Sequence, residues 1–181
     1  MPGSDPSVAL NWPTIPACYG WLSLNRRGCW KLKGEGISHA GLIAFINSRY
    51  AADDSGNWIV RNGPQAVFVA LDYTPFVLRL DLDDRLTAHT GAAAGLASAA
   101  YLDEEGNILL QTALGVGLLD DRDLPAFVAA CRNATGKPAD EDALLEIMNE
   151  GSAVVWHSLP VQPIRRCDAA DFFGFCPNPK P

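Results

Sequence analysis

The chain has 181 residues, enough for one domain or for two small halves that share a core. A hydrophobic content of 48%, with 7 Phe, 5 Trp and 4 Tyr, excludes a disordered chain, because such chains lack the apolar surface that offsets the entropy of ordering. The formal charge of −7 argues against a general nucleic-acid or anionic-membrane surface. No run approaches about 18 consecutive apolar residues, so the sequence predicts no membrane-spanning helix.

Prolines and alternation organise the beginning of the chain. Four prolines before residue 17 indicate an extended arm over residues 1–18, with Trp12 placed to hold it against the body of the protein. Alternation over Tyr19–Leu24 predicts a strand that turns back through a basic hairpin. Ser38 is a favourable N-cap for a helix over His39–Tyr50.

A hairpin over residues 76–90 has a register that its binary pattern indicates. A three-residue loop at 83–85 puts the leucines of both strands on one face, whereas a two-residue loop mixes polar and apolar side chains on both faces. In the preferred register Arg79 lies opposite His89, and Asp81 lies opposite Thr87.

The remaining pattern predicts further hairpins and two more helices. Asn62-Gly63-Pro64 is typical of a hairpin turn, because Asn and Gly tolerate positive φ. The Ala- and Gly-rich segment 91–100 predicts a joint between two halves. The other predicted elements are strands at 57–61, 65–71, 97–102, 108–112, 114–119 and 153–161, helices at 120–132 and 139–149, and a tail at 162–181 with Phe172, Phe173 and Phe175 placed to dock.

These elements predict an α+β fold of mostly antiparallel sheets built of hairpins, with two to three helices packed on them. We expect two halves at 19–90 and 97–161, and a relationship between them is left open at this point. Asp53-x-x-Gly56-Asn57 resembles Asp103-x-x-Gly106-Asn107. Common turn chemistry explains this match, and a β-turn-β element used twice is the alternative.

Cysteine use and the lack of ligand patterns bound the chemistry. Five cysteines without a CxxC pair, together with no secretory-signal pattern, predict reduced thiols and a cytoplasmic location. No zinc, EF-hand or phosphate-loop spacing is present, so we expect neither a metal nor a cofactor. Asp81, Asp83 and Asp84 stand close together, but acidic residues at a hairpin are typical turn formers.

The first hairpin carries a basic cluster beside two indoles. Such an arrangement can stack a base or hold a phosphate. In an acidic protein a solvated basic hairpin is the simpler interpretation, so we expect no nucleic-acid and no membrane partner. The cluster consists of Arg26, Arg27, Lys31 and Lys33 beside Trp21 and Trp30.

Three motifs carry a resemblance to known sequences. They are Gly28-Cys29-Trp30, Asp54-Ser55-Gly56-Asn57-Trp58 and Thr74-Pro75-Phe76-Val77. In order and spacing they resemble the G-x-W, D-G-x-W and (T/A)-P-F-V pattern of uncharacterised proteobacterial domain-of-unknown-function proteins, over residues 28–130. The resemblance implies a mixed α+β fold with repeated β-helix-β elements and a ligand-binding or signalling role. It carries over no catalytic residue.

Aromatic residues are dense in the first half, and a polar strip is expected along the same sheet. We expect the strip to contain Arg61, Gln65, Arg79 and His89, with Trp58 as a stacking wall. Small-molecule pockets are mostly apolar with a few convergent polar groups, although aromatics most often fill the core. The sequence therefore predicts a non-enzymatic small-ligand-binding or regulatory protein, monomeric or homodimeric.

Two alternatives remain open at this point. The first is a protein–protein interaction module that uses the arm or the aromatic tail. The second is a hydrolase-like enzyme that uses His89 with Asp81, although no G-x-S-x-G nucleophile elbow is present.

Overall fold

The computed structural model describes residues 15–149 and 153–181, so Trp12 and most of the predicted arm lie outside the described residues. The described chain forms two sheets with four α-helices, which confirms the α+β class and exceeds the two to three helices expected. None of these helices has the length and apolarity needed to cross a membrane. The strands are β1 (Ala17–Leu24), β2 (Trp30–Leu32), β3 (Glu35–Gly36), β4 (Tyr50–Ala52), β5 (Trp58–Asn62), β6 (Gln65–Leu71), β7 (Phe76–Leu80), β8 (Leu86–Ala88), β9 (Ala93–Gly95), β10 (Ala99–Leu102), β11 (Ile108–Thr112), β12 (Gly115–Leu119), β13 (Cys131–Asn133), β14 (Val154–Trp156) and β15 (Leu159–Pro163). The helices are α1 (Ala40–Arg49), α2 (Leu124–Ala130), α3 (Glu141–Ile147) and α4 (Arg166–Phe173), and a 3-10 turn at Asp121–Asp123 leads into α2.

The two sheets repeat one topology. The first has the order β3-β2-β1-β6-β5-β4, and the second has the order β13-β14-β15-β10-β11-β12-β7-β8-β9. Six strands of the second sheet, taken in the order β9-β8-β7-β12-β11-β10, correspond one by one to the six strands of the first sheet. In each set the two central strands, β1 with β6 and β7 with β12, are parallel. Because β7 and β8 pair within the second sheet, the sheets divide the chain between Leu71 and Phe76, earlier than the expected boundary at residue 90.

One five-residue turn occurs five times in the described chain. The side-chain oxygen of the first residue accepts the backbone N–H groups of the third and fifth, and the fourth residue has a positive φ. This is an Asx turn, in which Asp or Asn supplies the oxygen and Gly fits the left-handed position. The match between Asp53–Asn57 and Asp103–Asn107 therefore belongs to a recurring element. The turns are Asn25–Cys29, Asp53–Asn57, Asp81–Arg85, Asp103–Asn107 and Asn133–Lys137.

The same turn corrects the register of the β7–β8 hairpin. Arg79 lies opposite Thr87, not opposite His89, so the expected register is wrong by two residues. The reason is that Asp81 begins the five-residue turn, with Oδ1 accepting the N–H groups of Asp83 and Arg85, and therefore ends the strand. A shift of two preserves the buried leucine face but leaves Leu82 fully exposed.

Two local predictions also change. His39, not Ser38, caps α1, because its Nδ1 accepts the N–H of Leu42 at 3.1 Å. The predicted strand over 153–161 is two strands, separated by a tight turn at His157-Ser158 in which both residues have positive φ. Neither residue is glycine, so the sequence carries no common signal for that turn.

Two hydrophobic cores hold the sheets and helices together. The helix core lies between the second sheet and helices α2 and α3, which contribute Phe127, Leu144 and Ile147. The intersheet core joins the two sheets, and it combines Leu22 and Val69 of the first sheet with residues of the second such as Leu118. Burying apolar area of this kind is the main favourable term in folding. Because the intersheet core draws on both sheets, the two repeats stabilise each other.

Candidate functional site

The structure does not bring the predicted polar strip together. Arg61 lies one residue before the end of strand β5 and Gln65 begins β6, both in the first sheet. Arg79 lies on β7 and His89 follows β8, both in the second sheet. The strip assumed one continuous sheet, whereas the chain changes sheets between Leu71 and Phe76.

Arg79 is held at the surface by an intramolecular ion pair. Its Nε and Nη2 donate to the two carboxylate oxygens of Asp123 at 2.6 and 3.1 Å, and Asp123 also accepts the N–H of Leu80 at 2.9 Å. Bidentate pairs of this kind are strong and directional. Arg79 lowers the pKa of the Asp123 carboxyl below its usual value. The pair ties β7 to the start of α2, which is a structural role.

His89 is buried among aromatic rings. Its Nδ1 accepts the N–H of Val77 at 3.3 Å, while Nε2 is buried with no partner in the described part of the chain. The ring centres of Trp30, Tyr50 and Phe76 lie 5.3, 5.8 and 6.0 Å away. Burial lowers the pKa of His89 to about 4, so the imidazole is neutral near pH 7.

Trp58 belongs to the same aromatic cluster, which packs where the two sheets meet. Its ring centre lies 4.8 Å from Tyr50 and 4.9 Å from Phe76. Gly28 packs against His89 so closely that an added Cβ would stand 2.6 Å from the Cβ of His89. The stacking wall predicted for a ligand therefore packs against protein rings.

The residues of the hydrolase alternative are apart. Asp81 lies at the turn end of the β7–β8 hairpin, where it accepts backbone N–H groups. His89 lies at the open end of that hairpin, with Nδ1 occupied by a backbone N–H. A general base must reach its partner within hydrogen-bond distance, and the hairpin keeps these two side chains at opposite ends.

A pocket of about 430 Å³ lies where the β6–β7 link, the Asp103–Asn107 turn and the C-terminal tail meet. We call it the seam pocket. Pockets of this size, with apolar walls and a few polar groups, are typical small-molecule sites. Its lining residues are Asp72, Tyr73, Glu104, Arg166, Cys167, Ala170, Phe175 and Pro177.

Tyr73 anchors the polar side of the seam pocket. Its hydroxyl donates to the buried carboxylate of Asp103 at 2.7 Å. Burial, and then the carboxylate of Asp103, raise the pKa of Tyr73 well above its usual value. The guanidinium carbons of Arg166 and Arg26 lie 5.0 and 5.6 Å from the centre of the Tyr73 ring, within cation–π distance.

Arg166 connects the tail to the Asp103–Asn107 turn. Its Nη1 donates to both carboxylate oxygens of Glu105 at 2.7 Å, and its backbone N–H donates to Glu104 at 2.9 Å. Arg166 lowers the pKa of Glu105. Arg26 approaches the same carboxylate at 3.4 Å, so two arginines share Glu105.

The tail is folded against the first sheet. Leu71 donates its N–H to the carbonyl of Pro177 and Cys176 donates to the carbonyl of Gly56, both at 2.8 Å. Phe175 is 8% exposed and belongs to the intersheet core, whereas Phe172 is 62% exposed. The predicted docking of the tail therefore takes place, for Phe175, on the protein's own core.

The basic hairpin and the cysteines show no activated group. Arg27 pairs with Asp121 at 3.3 Å, and the ammonium of Lys33 lies 3.7 Å from the Trp21 ring centre. All five cysteines are unpaired. A hydrogen bond with Asp168 raises the pKa of Cys167, which disfavours the reactive thiolate. Among the described residues no group of three or more metal-ligating side chains occurs.

Sequence reasoning missed the seam pocket because its residues come from distant segments. Asp72 and Tyr73 follow a strand, Glu104 lies in a turn, and the rest belong to the tail. The Asp103 turn motif was visible in the sequence, but only the fold brings Arg166 to it.

Comparisons with known proteins place the chain among uncharacterised proteins. A family model, DUF2944, described as "Protein of unknown function (DUF2946)", matches residues 7–180. A DUF1285 family protein from Silicibacter pomeroyi DSS-3 is similar in structure, with a TM-score of 0.56 and 15% identity over 90% of this chain and 89% of that chain. A DUF1285 family protein from Shewanella baltica OS155 matches with a TM-score of 0.48 and 15% identity over 60% of this chain and 91% of that chain. No curated protein matches the chain. The expected likeness to uncharacterised families is confirmed, and the Silicibacter structure supports the fold alone.

Proposed function

We propose that this chain, which belongs to the DUF2944 family of proteins of unknown function, binds a small organic ligand in the seam pocket as a non-enzymatic, regulatory protein. One observation carries the proposal. Three distant segments converge on a cavity of about 430 Å³ whose apolar wall includes Ala170, Phe175 and Pro177. Ligand pockets often form where separate structural units meet.

The regulatory part of the proposal follows from the three chain segments that a bound ligand would contact at once. The seam pocket is lined by the β6–β7 link that joins the two sheets, by a turn of the second sheet and by the tail. A ligand that contacts all three segments stabilises their packed arrangement by mass action. The lack of any disulfide among the five cysteines supports a cytoplasmic setting for this role.

Filling the pocket tests the proposal. Ala170 lines the seam pocket on α4, so Ala170→Phe would occupy it, and Ala129→Phe on the exposed face of α2 is the matched control. We expect native mass spectra of the purified wild type and the control to show a ligand mass that denaturation removes. The filled variant, checked for folding by circular dichroism, should show none. A bare wild-type protein, or an adduct that persists in Ala170→Phe, counts against the proposal.

An interaction role for the tail has one observation in its favour. Phe172 remains 62% exposed while its ring packs edge-on against Tyr101 and Phe173. Exposed aromatics mark interfaces when they form contiguous patches. Light scattering of the wild type and of Phe172→Ser would favour this candidate if a dimer were lost in the variant.

A further inference from the structure

The seam pocket has an excess of negative charge. Asp72 and Glu104 line it, both are exposed, and neither pairs with a cationic side chain in the described part of the chain. Arg166 and Arg26 bring two positive charges to the edge of the pocket and share Glu105, so the two guanidiniums are outnumbered by the four carboxylates of Asp72, Asp103, Glu104 and Glu105. Exposed carboxylates without counter-ions attract cations in their vicinity.

The Tyr73 ring beside the pocket is only 6% exposed and already contacts cations of the protein itself. Tyr73 donates its hydrogen bond to a buried carboxylate, which increases the negative potential of the ring face. The guanidinium carbons of Arg166 and Arg26 lie 5.0 and 5.6 Å from the centre of that ring, so a cationic ligand has to be held by Asp72 and Glu104 instead. Beside this polar side, Ala170, Phe175 and Pro177 offer an apolar surface to the body of a ligand.

The pocket disfavours an anionic ligand, because the guanidinium at its edge is already paired and the nearby carboxylates repel negative charge. Arg166 directs Nη1 to both oxygens of Glu105, and its Nη2 lies 3.5 Å from the carbonyl of Asp72. A carboxylate or phosphate would have to displace Glu105 while standing near Asp72 and Glu104, neither of which pairs with a cationic side chain among the described residues. Like-charge proximity of this kind is a specificity element against anions.

We infer that the ligand of the seam pocket is a small organic monocation of the amine class, with an apolar body against Phe175 and an ammonium group near Asp72 and Glu104. This inference rests on the proposed binding role and adds the chemical class of the ligand. Its charge complements both the pocket and the formal charge of −7 on the whole chain.

Three probes of one shape test the charge preference: benzylamine, benzyl alcohol and benzoate. Titrations followed by protein NMR at low salt should show benzylamine binding at least about tenfold more tightly than the other two. Asp72→Asn with Glu104→Gln should reduce this preference to less than about threefold. The change Glu104→Gln keeps an oxygen for the N–H of Arg166, so α4 retains its contact. Glu35→Gln with Asp142→Asn removes the same charge at exposed sites that do not line the pocket, and should leave the preference unchanged.

The outcomes separate the two proposals. Equal binding of benzylamine and benzyl alcohol at the pocket, abolished by Ala170→Phe, would overturn the amine inference and leave the binding role standing. A preference lost equally in both double variants would assign it to overall charge and overturn the inference. Binding of none of the probes, in a wild type that also carries no ligand mass, would remove the binding role itself.

Discussion

At the scale of single residues, His89 has an unusual environment for a titratable group. Aromatic rings from both sheets surround it, and its Nδ1 accepts a backbone N–H, so the neutral ring carries its proton on Nε2. That proton has no acceptor among the described residues. Protonation would place a full positive charge in this apolar environment, which the pKa of about 4 reflects.

This environment predicts acid sensitivity. The folded pKa is about 4 against an ordinary 6.5, so below pH 6.5 the unfolded chain binds a proton that the folded chain does not. The free energy of unfolding should therefore fall by about 3 kcal/mol as the pH drops from 6.5 to 4, and this contribution should be constant outside that window. Urea unfolding at several pH values measures the slope.

His89→Phe is the control for that slope. It keeps a ring in the cluster but cannot titrate, so we expect lower stability at pH 7 and a flatter pH profile between 6.5 and 4. His39 and His157 remain in both proteins and cancel in the comparison. Carboxylates such as Asp120, whose pKa Arg122 lowers to about 2, lose their contribution at lower pH. Identical slopes in the two proteins would show that the fold does not exclude the imidazolium.

At the scale of elements, the five Asx turns form a natural substitution series. The fourth position has φ between 57° and 83°. Glycine occupies it in four of the turns, and Asp84 occupies it in the turn Asp81–Arg85. A left-handed backbone costs an L-residue about 1–2 kcal/mol. Glycine avoids this cost, but its unfolded chain has more conformational entropy to lose, so the net gain in stability from glycine is smaller. Nε2 of His157 lies 3.2 Å from Oδ1 of Asp84, and this half-exposed contact offsets little of the cost.

The series predicts opposite effects for two substitutions. Asp84→Gly should raise the free energy of unfolding by roughly 0.5–1 kcal/mol, and Gly106→Ala should lower it by about 1 kcal/mol. Gly106 is a matched site because an added Cβ would meet no atom within 4 Å, which leaves only the backbone effect. Denaturant unfolding of both variants measures the pair. A loss of stability in Asp84→Gly would mean that the His157 contact outweighs the backbone strain.

These turns also show how far the sequence could predict the fold. Asx-turn residues and alternating strands are local signals, and they correctly indicated most strands and the α+β class. The predicted register of the β7–β8 hairpin was wrong because Asp81 was assigned to the strand, whereas it is the first residue of the turn. The turn at His157-Ser158 lacks the usual glycine or asparagine, so the sequence predicted one continuous strand over 153–161.

The candidate site was less accessible to prediction than the elements. Arg79 and His89 were predicted as site residues from their chemistry. Their actual partners, the carboxylate of Asp123 for Arg79 and aromatic rings such as Trp30 for His89, come from distant parts of the chain. Which sheet a hairpin joins is decided by long-range pairing, such as that of β7 with β12. No pattern in one sequence carries that information. The same holds for Arg166, whose partner Glu105 is 61 residues away.

At the scale of the whole molecule, the tail completes the intersheet core. Helix α4 and the residues after it supply Ala169 and Phe175 to a core that otherwise combines strands of both sheets. Gly174 ends the helix in the left-handed conformation, and this turn directs Phe175 inward while Phe172 stays outside. The tail thus places Phe175 in the intersheet core, packs Phe173 against the same core, and leaves Phe172 on the surface.

Phe175 and Phe172 provide the test of that division. Phe175→Ala should lower the free energy of unfolding by about 3–5 kcal/mol, because it removes a buried ring and leaves a cavity in the intersheet core. Phe172→Ala, three residues earlier and 62% exposed, should change it by no more than about 0.5 kcal/mol. Denaturant unfolding with tryptophan fluorescence measures both, since Trp30 belongs to the same core. A small loss in Phe175→Ala would mean that the tail is dispensable for the intersheet core. A large loss in Phe172→Ala would mean that its ring, with Tyr101, carries packing energy in spite of its exposure.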